Sequence, residues 1–122
     1  MNTRDYITKG EDNVGKKNVK YAPSLFEGQD DRHCFAKEMG IESDNCGNSY
    51  KIDRHEIFFS RAYRDKSKIY GLWVNLCSDC HYEVHNGLDD SLNKTLKKLG
   101  QMKFEEVYDH ESFMKEFNKN RL

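Results

Sequence analysis

The sequence predicts an α+β fold, small enough to be one domain and stapled in part by metal. Three observations predict it. Two short runs rich in β-formers, "YKIDRHEIFF" and "LWVNLC", precede two segments with helical apolar spacing. Between them lies "CSDCHYEVHNG", residues 77–87, which packs two cysteines and two histidines into nine positions. Finally, 36% hydrophobic and 34% charged residues over 122 positions, with a mean hydropathy of -0.98, leave little apolar material to bury. Small domains in that position commonly recruit a metal or disulfides.

Each element follows in chain order. Residues 1–23 are polar, with glycines at 10 and 15 and lysines at 9, 16, 17 and 20, and read as a flexible or loosely docked arm ending at Pro23. The single domain is expected over 24–122. "SLFEG" gives a short ordered piece, and the stretch from Cys34 to Tyr50 reads as an acidic loop containing the turn signal "DNCGNS". A strand is predicted over about residues 50–58, followed by "SRAYRDKSKIYG" as a loop or one short helix ending at Gly71. "LWVNLC" makes the second strand, and Asn86-Gly87 a turn. Leu88, Leu92, Leu96 and Leu99 then fall at helical spacing, with Asp89 and Asp90 in the first turn and Gly100 as an interruption or a weak point. "DHESFMKEFNKN" predicts a last short helix, capped by Asp109 and burying Phe113, Met114 and Phe117.

The net charge of -1 does not advertise nucleic acid, but its distribution is uneven. Residues 27–45 hold six acids against two bases, 51–70 hold six bases against three acids, and 91–103 hold four lysines and no acid. A neutral total therefore conceals a basic face or a solvated mixed surface. With no apolar run near 18 residues and no apolar centre in "MNTRDYITKGEDN", no membrane partner is expected. The default compartment is the cytoplasm, where cysteines stay reduced and clustered thiols bind metal.

Cys77 and Cys80 form a CxxC turn that points two thiolates at one ion. The remaining pair, Cys34 and Cys46, is separated by eleven residues, far more than the usual two to four, so "FAKEMGIESDN" must bulge out as a loop for all four to converge. A structural zinc on Cys34, Cys46, Cys77 and Cys80 is the preferred reading. The rivals are a mixed site using His33 or His81, and redox-active thiols. His81 and His85 stand four apart, on one face of a helical turn, and are left for a second, catalytic ion. Such an ion needs a nearby base, and His55 on the preceding strand suits it; Asp53 shares the strand face of His55, whereas Glu56 points to the other face.

"DRHEI", "VNLCSDCH" and "VHNG" resemble the motif of HNH nucleases, the ββα-metal or His-Me finger group. The longer stretch from "HEIFFSRAYRDKSKIYGLWVNLCSDCHYEVHNG" through "LKKLGQMKFEEVYDHESFMKEFNKN" looks like small HNH-type proteins of phages and prophages, a likeness spanning about residues 24–122. The resemblance implies a small ββα-metal domain with a zinc-stabilised loop region and C-terminal helices, and a DNA endonuclease using one divalent ion such as Mg2+ or Mn2+. Carried over by position, His81 and His85 match the metal histidines and the four cysteines the structural zinc. Two alignments stay open upstream. In one, His55 is the base and Asp53 the ligand; in the other, His55 is the ligand and Glu56 stands at the base. Asn75 or Tyr63 occupies the place of the family's orienting Asn. DNA is the implied partner, with a protein partner or homodimer beside it, and the host cytoplasm the implied location. Arg54, Arg61, Arg64, Lys66 and Lys68 are expected to contact phosphates, with Lys94, Lys97 and Lys98 extending that surface. The competing class is a zinc module that binds nucleic acid or a host protein without cutting.

Overall fold

A computed structural model describes residues 19–46, 51–87 and 90–122. Its elements, in order, are α1 (Phe35–Met39), β1 (Ile52–Glu56), α2 (Arg64–Ile69), β2 (Trp73–Cys77), α3 (Ser78–Asn86), α4 (Ser91–Val107) and α5 (His110–Phe117). The architecture is a small α+β one, a two-stranded antiparallel sheet surrounded by helices.

β1 pairs with β2 so that His55 lies opposite Val74 and Asp53 opposite Leu76. Side chains alternate across a strand, so these four share one face while Arg54, Glu56, Trp73 and Asn75 share the other. β2 is buried along its whole length, which explains why it is apolar except at Asn75. Its outer face is covered by residues 21–32. The Trp73 indole Nε1 donates to the Ala22 carbonyl at 2.8 Å, Ser24 Oγ donates to the Trp73 carbonyl at 2.7 Å, and the Asn75 amide N donates to Gln29 Oε1 at 2.8 Å. Of the arm predicted over residues 1–23, residues 1–18 lie outside the described ones, and Tyr21 and Ala22 are docked on the sheet.

That docking depends on Gly71. With φ at 70°, it adopts the left-handed conformation, and a Cβ there would lie 2.2 Å from the Pro23 carbonyl oxygen. Only glycine meets both conditions at once.

The acidic stretch after Cys34 is not all loop. Residues 35–39 form α1, whose Phe35 and Ala36 are buried, with the Phe35 ring 5.1 Å from that of Phe26. The helix closes with the paired hydrogen bonds of a Schellman motif: Gly40 N donates to the Lys37 carbonyl and Ile41 N to that of Ala36. Tertiary burial of two residues, rather than any long periodic pattern, makes this helix.

Three further expectations are corrected. Residues 86 and 87 are not a separate turn; Asn86 ends α3, and Gly87 N bonds back to the Glu83 carbonyl. Gly100 does not interrupt α4, which runs through it: a Cβ there would meet Ile57 Cγ2 at 3.1 Å and Phe58 Cε2 at 3.2 Å, so its absence lets the helix sit against the residues following β1. Asp90 is the N-cap of α4 rather than part of its first turn, and the predicted Leu88 and Asp89 contributions lie outside the described residues. At α5 the Asp109 carboxylate accepts from Ser112 N at 2.7 Å, the expected cap. Phe113 and Phe117 are buried there, and Met114 is half-buried. With Phe58 and Phe104 they form an aromatic core, each buried ring contributing roughly 1.5–3 kcal/mol. Among the described residues no helix is long and apolar enough to cross a membrane.

Candidate metal centres

The joint between β2 and α3 supports two groups of metal-binding side chains. Cys77 ends the strand and caps the helix: its Sγ accepts from Cys80 N at 3.4 Å. A thiolate at a helix N-terminus is favoured by the dipole and by such N–H donors. Cys80 lies in the first turn, and Cys34 and Cys46 flank the segment containing α1. The eleven-residue spacing is thus bridged by a helix that returns the chain to the site. One sulfur from each of Cys34, Cys46, Cys77 and Cys80 lies within 4.8 Å of the others. The Cys46–Cys77 separation is 3.6 Å. A disulfide would require about 2.05 Å, whereas four sulfurs about 2.3 Å from a tetrahedral zinc stand about 3.8 Å apart. Hydrogen bonding from the Cys80 thiol, opposed by burial and aided by N–H donors, pulls Cys34 down to about 5. The Ser43 amide N points at Cys80 Sγ at 3.4 Å, the kind of outer contact that steadies a metal-bound sulfur. These four residues fit a metal ion such as zinc.

The second group faces the other way from α3. His55, His81 and His85 each offer a ring nitrogen, all within 4.8 Å of one another. Ring centroids are 5.0 Å apart for His55–His81 and His81–His85, and 5.4 Å for His55–His85. The spacing of four on α3 puts His81 and His85 on one face; the β1–β2 register brings His55 beneath them. His55 is 1% exposed, and both of its ring nitrogens are buried without a hydrogen-bond partner. Leaving buried polar atoms unsatisfied costs about 1–3 kcal/mol each, and two lie on this one ring. Burial, then the fields of His81, His85 and Lys97, hold His55 well below the usual histidine range, so it is neutral at pH 7 with a lone pair to give. Burial, then His81, lowers His85 as well. Three imidazole ligands suit a borderline ion such as Zn2+, Ni2+ or Fe2+ better than Mg2+.

The other expected site residues lie as follows. Asp53 Oδ2 is 3.3 Å from His81 Nδ1, so the carboxylate sits behind an imidazole rather than inside the trio. Glu56 is on the opposite sheet face, bonded to the Tyr21 hydroxyl and 4.0 Å from Arg64 Nε. Asn75 is on that face too, its amide donating to the carbonyls of Gln29 and Asp31. Tyr63 accepts from Asn118 Nδ2 at 3.1 Å. His33 and His110 pair with Glu38 and Glu105.

The expected phosphate contacts do not form one surface. The Arg54 guanidinium packs in the corner between the Tyr21 and Trp73 rings, 4.4 and 4.2 Å from their centroids, across the sheet from the imidazoles. Lys66 donates to the Glu116 carbonyl and Lys68 pairs with Asp65. Arg61 and Arg64 are exposed, and the field of Arg64 reaches His85. Sequence reasoning missed Phe59, whose ring packs 4.3 Å from that of His85 and 5.6 Å from that of His55. It also missed Arg121, whose place in the fold no local pattern encodes. No protein-family profile matches this chain, and neither the curated proteins nor the solved structures include a match.

Proposed function

We propose that the chain is a metal-dependent endonuclease of the HNH type, a ββα-metal domain that hydrolyses DNA phosphodiester bonds, of the kind phages encode. One observation carries the reading: a buried histidine with two unpartnered nitrogens beneath His81 and His85, next to a four-thiol site. The order β1, β2, α3, with an imidazole from β1 and two from α3, supports the ββα-metal assignment.

In this reading the sulfur site staples α1 and its loop to the joint between β2 and α3, and the imidazoles hold a divalent ion. That ion would stabilise negative charge developing on the phosphodiester and its leaving oxygen. Asp53 fixes the ring of His81 by accepting from its Nδ1–H, which leaves Nε2 as the ligating atom. If His55 is counted with the ligands, as its nearness to His81 and His85 supports, the base position falls to Glu56. That carboxylate must then leave Tyr21 and Arg64 to reach a water. If instead His55 is the base, its neutral state lets it take a proton at physiological pH without first losing one.

Plasmid nicking with Mn2+, Mg2+ or Zn2+ tests the reading. The parent should nick and His55→Ala should not. Glu56→Gln abolishes nicking only if Glu56 is the base. A parent that never nicks, with any of the three ions, refutes the enzyme. The engagement of Glu56 by Tyr21 favours a second reading, a zinc module that binds nucleic acid or a host protein without cutting. It predicts that His55→Ala, His81→Ala and His85→Ala leave binding intact while loss of any cysteine destroys it.

A further inference from the structure

We propose that Lys97 and Arg121 form a phosphate-binding subsite beside the imidazoles, taking a backbone phosphate next to the one held at the metal; the strand's identity rests on the nuclease reading.

Lys97 comes from the middle of α4. Its ammonium sits 4.6 Å from the centroid of Phe59, and the same ring packs 4.3 Å from His85. The cation is thus one aromatic ring removed from the trio, and its field reaches His55. Arg121 lies on the segment after α5. That tail is latched by Gln101, a fully buried residue of α4. Gln101 Oε1 accepts from Arg121 N at 2.7 Å, and its Nε2 donates to Asn120 Oδ1 at 2.9 Å and Glu105 Oε2 at 2.7 Å. Thus anchored, Arg121 lays its guanidinium 5.3 Å from the centroid of Phe58, with Nε buried and unpartnered.

No described carboxylate forms an ion pair with Lys97, Lys119 or Arg121. Burial, then the fields of Arg121 and Lys119, depress the Lys97 ammonium, against the pull of Asp90. The fold therefore gathers like charges around Lys97, beside the imidazole cluster, and desolvates two of them. Repulsion of that kind is relieved by an anion. A planar fork plus a point charge matches the several oxygens of a phosphodiester. Lys66 and Lys68, by contrast, already have carboxylates.

The experiment measures duplex oligonucleotide binding by fluorescence anisotropy over a salt series, without added divalent ion. The proteins are the full chain, Lys97→Met, Arg121→Met and the double variant. Methionine keeps an apolar stem over Phe59 or Phe58 while removing the charge. The tail's latch uses the Arg121 backbone N–H and survives the substitution; circular dichroism melts check the fold, and Arg121→Lys gives a charge-retaining comparison. Each lost phosphate contact lowers the steepness of log K against log salt by about 0.9, so the double variant should lose about 1.8. Lys115→Met, which removes an exposed charge on α5, should leave the slope as it is.

A double variant with the parent's slope overturns the subsite, as does an equal loss from Lys115→Met. A parent that fails to bind duplex at low salt also overturns it. Nicking is scored in parallel. A parent that binds with the expected slopes but never nicks refutes the nuclease reading and leaves the subsite standing. A parent that nicks while the double variant keeps its slope refutes the subsite alone.

Discussion

Replacing Asp53 by Asn separates two roles for that carboxylate. Asp53 Oδ2 lies 3.3 Å from His81 Nδ1, and the two side chains are 41% and 26% exposed. As an orienting partner, it should follow the rule for groups behind a metal-bound imidazole, whose removal costs roughly 10–100-fold in metal affinity, or about 1.4–2.7 kcal/mol. The long, half-solvated contact puts the expected loss near the bottom of that range, about 10-fold. The effect on the metal-free fold should be smaller still, within roughly 0–1 kcal/mol, because exposed ion pairs are screened. Asn preserves shape and one acceptor, so packing is not disturbed. The assay is Co2+ titration of protein whose thiol site is already loaded with zinc, with calorimetry for the constants and a thermal melt for the fold. An unchanged affinity would refute the orienting role. A loss beyond about a thousandfold would make Asp53 a ligand, and the reasoning from its place behind His81 would be wrong.

Three other outcomes follow from the same geometry. His55→Leu, which exchanges an unsatisfied ring for an apolar side chain, should stabilise protein lacking the second ion by about 1–3 kcal/mol while abolishing ion binding there; a lowered melting temperature would contradict it. Strong chelation of the thiol-bound metal should unfold the domain, read as loss of far-ultraviolet ellipticity, because binding energy of roughly 10–16 kcal/mol rivals the stability of a small domain. The fold should also weaken in acid when the imidazole centre is metal-free. His55 has a depressed pKa in the fold, so the unfolded chain binds the extra proton, and its contribution is intact above about pH 6.5 and lost as pH falls below it. Denaturant melts from pH 7.5 to 5 check this against His55→Leu, which should show a flatter dependence.

The features legible in the sequence are those written in local patterns. The two β-rich runs, the cap and apolar face of α5, and the spacing of His81 and His85 each depend on neighbours a few residues away. What escaped reading is non-local. α1 is five residues long, and it exists because Phe35 and Ala36 find the core and Gly40 closes the turn. The position of Glu56 followed from strand alternation, but not its engagement by Tyr21, 35 residues upstream. Lys97 meets the field of Arg121 only because Gln101 draws the tail back, so a composition count sees two scattered cations instead of a pair. The packing role of Gly100 is non-local in the same way. Helix propensity counts its flexibility against it, whereas the fold uses the space its missing side chain leaves for Ile57 and Phe58.

Cys77 is at once the last residue of a strand, the cap of a helix and a member of the thiol group. The helix it caps carries His81 and His85, so whatever grips the sulfurs also aims the imidazoles. On the proposed reading assembly would have an order, with an ion on the thiols setting the helix that presents the imidazoles.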